Sequence, residues 1–258
     1  MKKTTEARLN LIQKYLLDHE RASVTELSKL LKVTPEMTRK YLSFLEEKRF
    51  LFRTHGGAIL RNSNVDVPLS VRSKEKVDLK KILCNFAIDF INDDDMVFFD
   101  PSSTLLHLGK LIRLKKNLAI VTNCFDFLDS AKETSHSFYF LGGGYSKTGN
   151  RTKGQFQLNM IKAFSFDVAF FGADGIAGNG IGSQSEDAVF LNTEILSRSK
   201  KNILVFDSSK FDTSCRYQYA DFSDFDIFIT DLIPEKYRDI ITTETIIETS
   251  KYKRKRQY

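Results

Sequence analysis

The sequence predicts two domains of different classes: an N-terminal winged helix-turn-helix and a mostly parallel α/β domain. In residues 1–61, three helical patterns precede two short β-prone runs that flank a Gly-Gly pair. From residue 76 to residue 258, short apolar runs alternate with helical patterns, which is typical of a parallel sheet covered by helices. Between them, residues 62–75 are polar and show no periodicity, so they are predicted to be a linker.

The composition is that of a globular protein long enough for two domains. Of the 258 residues, 41% are hydrophobic, which is enough to bury a sizeable core. No apolar run reaches about 18 residues, the length that suggests a membrane-spanning helix, so no membrane partner is expected. The first residues are basic and then amphipathic rather than continuously apolar. We therefore expect a cytoplasmic protein.

The net charge of +6 is distributed unevenly along the chain. Residues 1–61 hold thirteen basic and seven acidic side chains, whereas residues 62–250 hold 21 basic and 26 acidic ones. Residues 251–258 add five basic side chains and no acidic one. Affinity for a polyanion is therefore expected at the two ends of the chain. The basic tail is interpreted as a solvated terminus.

Neither a metal site nor a cofactor is expected. The three cysteines lie far apart without CxxC spacing, and the four histidines are scattered. No catalytic Ser-His-Asp set or nucleophilic cysteine is visible from the spacing, so no catalytic residue is assigned.

The N-terminal helices are predicted over residues 4–20, 23–33 and 33–48. Thr25 is the expected N-cap of the second helix, and Thr34, followed by Pro35, is the expected N-cap of the third. Two short helices joined by a tight turn form a helix-turn-helix, whose second helix reads DNA with its N-terminal residues.

A hairpin around Gly56 and Gly57 follows the third helix and would form a wing. Basic groups beside a reading helix contact phosphates. The ordered set of helices and hairpin, in a segment of net charge +6, predicts double-stranded DNA as a partner. The residues expected to contact DNA are Thr34, Pro35, Glu36, Thr38, Arg39 and Lys40 in the helix, with Arg53 and His55 in the wing.

The stretch "VTPEMTRKYLSFLEEKRFLFRTHGGAIL" resembles the DNA-binding end of the DeoR-type bacterial transcriptional regulators. That family typically shows V-S-x-x-T-I-R-R-D-L followed by L-x-R-x-H-G-G-A. The positions that match are Val33, Arg39, Leu42, Arg53 and residues 55–58. The positions that depart are Met37, Thr38 and Tyr41, where the family usually has Thr, Ile and Asp.

The second domain is predicted as strands and helices in alternation. Its many phenylalanines are interpreted as core, because strands buried on both faces are continuously apolar. Helices are predicted at 79–91, 103–112, 125–133, 154–164 and 185–200, and strands at 96–99, 118–123, 137–142, 167–173, 202–207 and 226–230.

Polar residues follow five of these strands. In open α/β sheets, ligands bind at the carboxyl ends of the strands, where hydroxyls and backbone N–H groups suit a phosphate. Lys210 can supply a cation, and Asp174 can accept hydrogen bonds from sugar hydroxyls. The predicted effector-binding residues are Asp100, Ser102, Ser103, Thr104, Thr122, Asn123, Gly142, Gly143, Asp174, Gly175 and Lys210.

The motifs "VTN", "GG", "FFGADGI" and "FDSSKF" also resemble the DeoR-type effector domain. The resemblance implies a fold similar to pentose-phosphate isomerases and CoA-transferases. It further implies a regulator of sugar metabolism that senses a phosphorylated intermediate, usually a repressor that the effector releases from DNA. The family usually has D-S-G-T-T where this chain has residues 100–104, so Ser102 replaces a flexible glycine and Pro101 stiffens the turn.

Two other functions are compatible with these residues. A sugar-phosphate isomerase with an appended DNA-binding domain would need a carboxylate base and a cation, for which Asp174, Glu186 and Lys210 are the candidates. A DNA-binding protein with a vestigial pocket is the other alternative, suggested by Pro101 and Ser102. Helix-turn-helix heads usually act in pairs on two half-sites, so a homodimer or homotetramer is expected.

Overall fold

The computed structural model describes residues 2–48, 50–61, 67–178 and 180–252, with only the backbone of residues 2 and 3. The chain divides into two compact units, Met1–Val71 and Arg72–Tyr258. Residues 62–66 of the predicted linker and residues 253–258 of the basic tail lie outside the described residues. No helix among the described residues is long and apolar enough to cross a membrane.

The first unit is a helix-turn-helix with a three-stranded antiparallel sheet, as the sequence predicts. The strands pair in the order β1-β3-β2. Its elements are α1 (Lys2–His19), β1 (Arg21–Ser23), α2 (Val24–Leu31), α3 (Pro35–Glu47), β2 (Leu51–Arg53) and β3 (Gly57–Leu60).

The two helices of the helix-turn-helix begin at side-chain caps. Ser23 Oγ accepts from the Glu26 N–H at 3.1 Å, and the Glu26 carboxylate accepts from the Ser23 N–H at 2.7 Å. This reciprocal pair satisfies two N–H groups of the first turn. The prediction of Thr25 as the cap is therefore wrong, whereas Thr34 caps α3 by accepting from the Met37 N–H at 3.3 Å.

The hairpin β2–β3 confirms the predicted wing strands, and β1 adds a strand that the sequence pattern did not reveal. Glycine is required at position 57 by this added strand. A Cβ on Gly57 would lie 2.0 Å from the Ala22 carbonyl oxygen of β1. The core beneath the sheet includes Ile12, Leu27 and Leu42, all completely buried.

A one-turn helix, α4 (Leu69–Arg72), follows within the predicted linker. The second unit then contains six further helices. They are α5 (Val77–Ala87), α6 (Leu105–Leu111), α7 (Leu128–Glu133), α8 (Gln155–Ile161), α9 (Glu186–Leu196) and α10 (Glu235–Arg238).

A seven-stranded, fully parallel sheet forms the centre of the second unit, in the order β15-β14-β12-β9-β4-β5-β6. This topology confirms the predicted mostly parallel α/β class. Its strands are β4 (Met96–Phe99), β5 (Ala119–Thr122), β6 (Ser137–Phe140), β9 (Val168–Phe171), β12 (Asn202–Val205), β14 (Ile227–Thr230) and β15 (Thr245–Glu248).

Phenylalanines fill the core on both faces of this sheet. Phe98 and Phe99 are adjacent in β4, and Phe170 and Phe171 are adjacent in β9, yet all four are completely buried. Adjacent strand residues point to opposite faces, so each face receives one ring from each strand. The prediction that phenylalanines form the core holds for these strands, although Phe156 and Phe190 on α8 and α9 are exposed.

Five short strands outside the main sheet were not predicted. They form a hairpin, β7 (Gly144–Ser146) with β8 (Arg151–Lys153), and a sheet of β10 (Gly175–Ala177), β11 (Gly180–Ser183) and β13 (Tyr217–Asp221). Three of the seven residues in β10 and β11 are glycine, which removes the β-branched and aromatic signal of a strand. Close backbone approach explains one of them, because a Cβ on Gly175 would lie 2.2 Å from the Thr213 carbonyl oxygen.

Candidate functional site

The outer face of α3 carries most of the residues predicted to contact DNA. Thr34, Pro35, Glu36, Arg39 and Lys40 are all exposed. Lys40 and Glu36 form an exposed ion pair of 3.2 Å one helical turn apart. Such a pair is weak, so it leaves Lys40 available to a phosphate.

Thr38 does not belong to this exposed face. It is completely buried, its hydroxyl lies 2.9 Å from Ser28 Oγ of α2, and it donates to the Thr34 carbonyl at 3.2 Å. The side of α3 that carries Thr38 packs against α2. Thr38 therefore joins the two helices and is not placed to touch a base, which corrects the expectation from its sequence position.

Of the three positions that depart from the usual family pattern, only Met37 is on the surface, with 40% of its area exposed. Tyr41 is buried, and its hydroxyl accepts from the Arg8 guanidinium at 3.2 Å. Thr38 and Tyr41 therefore alter the packing between helices, whereas Met37 alters the exposed face of α3.

Arg53 attaches the wing to the reading helix. Its backbone N–H donates to Glu46 Oε1 at 2.9 Å, and its guanidinium donates to Ser43 Oγ at 2.9 Å. The side chain is half-buried, whereas His55 at the turn is exposed. His55 is thus placed as a wing residue that could meet DNA, and Arg53 positions the wing against α3.

The second unit has a small polar cavity at the carboxyl ends of β4 and β9. A smaller adjoining cavity shares Asp100, Pro101, Arg151, Ala188 and Asn192 with it. Of the predicted effector residues, Asp100, Ser102 and Asp174 line the first cavity, and Asp100 and Asn123 line the second.

Two carboxylates of the cavity have different electrostatic surroundings. Burial raises the pKa of Asp100 to about 6, although its carboxylate accepts from the Gly172 N–H at 3.1 Å. Burial also opposes ionisation of Asp174, but the charges of Arg72 and Lys210 outweigh it and hold its pKa below the usual value. Asp174 contacts the Arg72 guanidinium at 2.8 Å and accepts from Ser183 Oγ and the Gln184 N–H, each at 3.1 Å.

The cations that line the cavity are Arg72 and Arg151, and sequence reasoning missed both. Arg72 lies in the predicted linker, and Arg151 begins β8, a strand that was not predicted. In the sequence, each of these arginines is a charged residue among polar neighbours. That pattern is ordinary for a loop and does not indicate a binding site. Folding places both guanidinium groups where an anionic ligand could accept from them.

A third cation, Lys80, is 4% exposed on α5 beside the turn after β4. Its ammonium group donates to the Arg72 carbonyl at 2.6 Å and to Ser103 Oγ at 3.0 Å. Burial, with the nearby charge of Lys210, lowers the pKa of Lys80 to about 8. Lys80 was also missed, because it looked like one of several lysines of an amphipathic helix.

Two buried amide oxygens in the second cavity have no partner among the described residues, Asn123 Oδ1 and Asn192 Oδ1. Both side chains are about 3% exposed. The Asn123 amide nitrogen donates to the Thr152 carbonyl at 3.0 Å and to Gln157 Oε1 at 3.2 Å, which aims its oxygen away from them. Buried acceptors without partners are costly, so they suit a ligand that brings hydroxyl donors.

The remaining predicted effector residues lie outside the cavity lining. Gly142 donates its N–H to Met160 Sδ, Gly143 and Gly175 make close backbone approaches, and Thr122 Oγ donates to the Phe99 carbonyl. Lys210 is half-buried and acts on Asp174 and Asp207 through its charge. The residues in this group are Ser103, Thr104, Thr122, Gly142, Gly143, Gly175 and Lys210.

The groups suggested for isomerase chemistry are not all brought together. Asp174 lines the cavity, but Glu186 is exposed at the start of α9 and lines neither cavity. Among the described residues, no group of three His, Cys, Asp or Glu side chains is arranged to hold a metal ion.

Comparison with known proteins covers both units. The DeoR-like helix-turn-helix domain matches residues 8–64, and the DeoR C terminal sensor domain matches residues 75–232. The transcriptional repressor GlcR of Bacillus subtilis is 28% identical over 233 residues, covering 90% of each chain. The lactose phosphotransferase system repressor of Streptococcus mutans is 27% identical, covering 88% of this chain and 92% of its own.

Solved structures resemble the chain more distantly. Ribose 5-phosphate isomerase from Plasmodium falciparum is 19% identical with a TM-score of 0.38, covering 53% of each chain. Translation initiation factor eIF-2B from Pyrococcus horikoshii is 15% identical with a TM-score of 0.42, covering 88% of this chain and 86% of its own. From the two domain matches, which together span most of its length, the chain belongs to the DeoR family of helix-turn-helix transcriptional regulators.

Proposed function

We propose that this protein represses a sugar-metabolism operon and that a phosphorylated sugar, bound in the two adjoining cavities of the second unit, controls its binding to operator DNA. The relatives GlcR and the lactose phosphotransferase system repressor are repressors by name, and this chain matches each over about nine-tenths of its length. The proposal extends that role to this chain and assigns its contacts.

The exposed face of α3 supplies the DNA contacts in this proposal. Arg39 and Lys40 meet phosphates or base edges, Met37 offers an apolar surface to the major groove, and His55 contacts the backbone from the wing. Two copies on two half-sites make a homodimer the smallest active form, and a protein that acts on a bacterial chromosome works in the cytoplasm.

One observation carries the assignment of the ligand: guanidinium groups and unpartnered buried acceptors line the same pair of cavities. Arg72 and Arg151 suit a phosphate, which they can bind in a bidentate manner. Asn123, Asn192 and Asp174 suit sugar hydroxyls, which donate. A phosphorylated sugar combines both chemistries in one molecule.

The test is a fluorescence-anisotropy titration of DNA from upstream of the protein's own gene. Each of a set of pentose and hexose monophosphates is added, with the unphosphorylated sugars and inorganic phosphate as controls. We expect one monophosphate to weaken DNA binding at concentrations where the controls do nothing. A thermal-shift titration run in parallel separates a working pocket from a vestigial one, because only bound ligand raises the melting temperature.

We propose a sensor rather than an enzyme, because Glu186, one of the candidate groups for isomerase chemistry, is exposed and lines neither cavity. Incubation of the purified protein with the same monophosphates, followed by chromatography, checks this. Catalytic conversion of any of them at more than a stoichiometric amount would overturn it.

A further inference from the structure

The chain enters the second unit by way of the candidate effector cavity. Arg72 is the first residue of this unit and the last of helix α4, and it also lines the cavity. We call residues 72–80 the entry segment. It continues from Arg72 through Lys76 into the first turn of α5 and ends at Lys80.

Three cationic side chains attach the entry segment to the residues that follow the strands. The Arg72 guanidinium contacts Asp174 at 2.8 Å, and the Lys76 ammonium group is paired with Asp207. Lys80 donates to Ser103 Oγ at 3.0 Å and to the carbonyl of Arg72 itself at 2.6 Å. These three attachments therefore all depend on charged side chains.

The three anchors follow three adjacent strands of the sheet. Ser103 follows β4, Asp174 follows β9 and Asp207 follows β12, and these strands are neighbours in the order β12-β9-β4. The entry segment thus crosses the carboxyl ends of the strands at the edge of the sheet where the cavity lies. If Arg72 moves away from this edge, the residues that precede it in the chain must move as well.

An anionic ligand in the cavity would compete for the first attachment. Arg72 is one of the two guanidinium groups that line the cavity, and it contacts the Asp174 carboxylate. A phosphate accepts from a guanidinium in the same fork geometry as a carboxylate. Sugar hydroxyls could in turn donate to the Asp174 oxygens that Arg72 leaves, so the exchange keeps both groups paired.

We propose that the entry segment is the switch of this regulator: effector binding takes Arg72 from Asp174, loosens the attachments of residues 72–80, and so changes the chain that leads to the DNA-binding unit. This inference rests on the proposed function, since it requires a phosphorylated effector in the cavity. Coupling between two sites is reciprocal, so DNA must weaken effector binding by the factor by which the effector weakens DNA binding.

The test uses Lys76→Gln in the full chain, because Lys76 belongs to the entry segment but does not line the cavity. Lys236→Gln is the control for loss of a lysine charge, since Lys236 pairs with Asp212 at 2.6 Å in the same unit, outside the entry segment and in a more exposed setting. Asp207→Asn is a second variant that keeps an acceptor for the Ser209 N–H. DNA affinity is measured by anisotropy, and affinity for the active monophosphate by calorimetry.

We expect Lys76→Gln to shift the DNA affinity of the effector-free protein in the direction in which the effector shifts the wild type. The affinity for the monophosphate should rise, because the variant populates the loosened segment that the effector favours, and the coupling between effector and DNA in the wild type should be on the order of fivefold or more. Hydrogen exchange of residues 72–80 should quicken when the monophosphate binds to the wild type. Lys236→Gln should change none of these quantities.

The switch proposal would be overturned if Lys76→Gln and Asp207→Asn both kept wild-type affinities for DNA and for the monophosphate. This result counts only if both variants melt cooperatively. If the wild type binds none of the monophosphates, the result contradicts the proposed effector rather than the switch. In that case the DNA affinity of Lys76→Gln still reports on the segment, and an unchanged value rejects its role.

Discussion

The side chain of Ser102 lies against the backbone of Gly172, so that a Cβ added to Gly172 would stand 2.3 Å from Ser102 Oγ and 2.4 Å from Ser102 Cβ. Ser102 Oγ also accepts from the Thr104 N–H at 3.3 Å. The serine that replaces the family's usual glycine therefore fills space between the ends of β4 and β9, at the wall of the cavity.

Gly172→Ala should accordingly destabilise the protein by about 1–3 kcal/mol, since an added methyl group in a packed site forces its neighbours to move. Ser102→Gly removes the atoms that the methyl group would meet, so the double variant should recover most of that stability. Urea unfolding of the two single variants and the double variant checks this. Additive losses in the double variant would show that the two residues are not coupled.

Ser102→Gly by itself should tighten monophosphate binding, because it widens the cavity beside Asp100 without removing a charge. Isothermal titration of the variant and the wild type measures the change. Weaker binding would show instead that the serine hydroxyl contacts the ligand.

Asp100→Asn should stabilise the protein near neutral pH. The pKa of Asp100 in the folded protein, about 6, lies above its usual 3.8. Between these values the folded state holds a proton that the unfolded chain has lost, so stability falls as pH rises through 6. Asparagine cannot ionise, and its advantage of about 1–3 kcal/mol should be present above pH 6 and absent below about pH 4.

Denaturant unfolding of Asp100→Asn over this pH range checks the prediction. Asp129→Asn is the control, because Asp129 is an exposed carboxylate paired only loosely with Lys132. A stability difference independent of pH would contradict the role of the Asp100 proton.

Thr38→Val and Arg39→Ala should have opposite consequences. Thr38→Val removes a buried hydroxyl but leaves Ser28 Oγ bonded to the Val24 carbonyl at 2.7 Å, so it should cost about 1 kcal/mol and preserve DNA affinity. Arg39→Ala should leave stability within about 0.5 kcal/mol but weaken DNA binding and reduce its salt dependence. Anisotropy at several salt concentrations separates the two effects. Loss of DNA binding by a fully stable Thr38→Val would indicate that Thr38 contacts DNA directly.

Glu248→Gln should destabilise the last strand of the main sheet. This carboxylate is 2% exposed and accepts from the Ile233 N–H at 3.0 Å, Arg238 at 3.0 Å and Lys251 at 2.6 Å. Burial opposes its ionisation, but these donors outweigh burial and lower its pKa to about 2. The stability that it contributes is present above about pH 4.5 and is lost as pH falls through 2.

We expect Glu248→Gln to cost about 1–3 kcal/mol at pH 7, measured by urea unfolding. Glu235→Gln is the matched control, since Glu235 meets the same Arg238 at 3.1 Å but is 93% exposed and should cost under about 1 kcal/mol. Equal losses from the two variants would contradict the importance of burial.

Sequence patterns predicted helices and strands best where interactions between neighbouring residues determine the structure. Thr34 and Pro35 predicted the start of α3, and the apolar run of β4 predicted a strand buried on both faces. Sequence patterns failed where contacts with residues distant in the chain determine the position of a side chain or strand. Thr38 has the sequence position of a DNA-contacting residue, yet the packing of α3 on α2 turns it inward. The glycine-rich strands β10 and β11 carry no strand signal, because their partners and not their side chains hold them in place.

The sequence by itself determined the two domain classes, the exposed reading helix and the polar carboxyl ends of the parallel strands, since helix periodicity, capping and strand hydrophobicity are properties of neighbouring residues. Only the tertiary structure decided which of those polar residues meet in a cavity. It brought in Arg72 from the predicted linker and Arg151 from an unpredicted strand, because electrostatic contacts join residues about a hundred positions apart, such as Arg72 and Asp174, which no local pattern records.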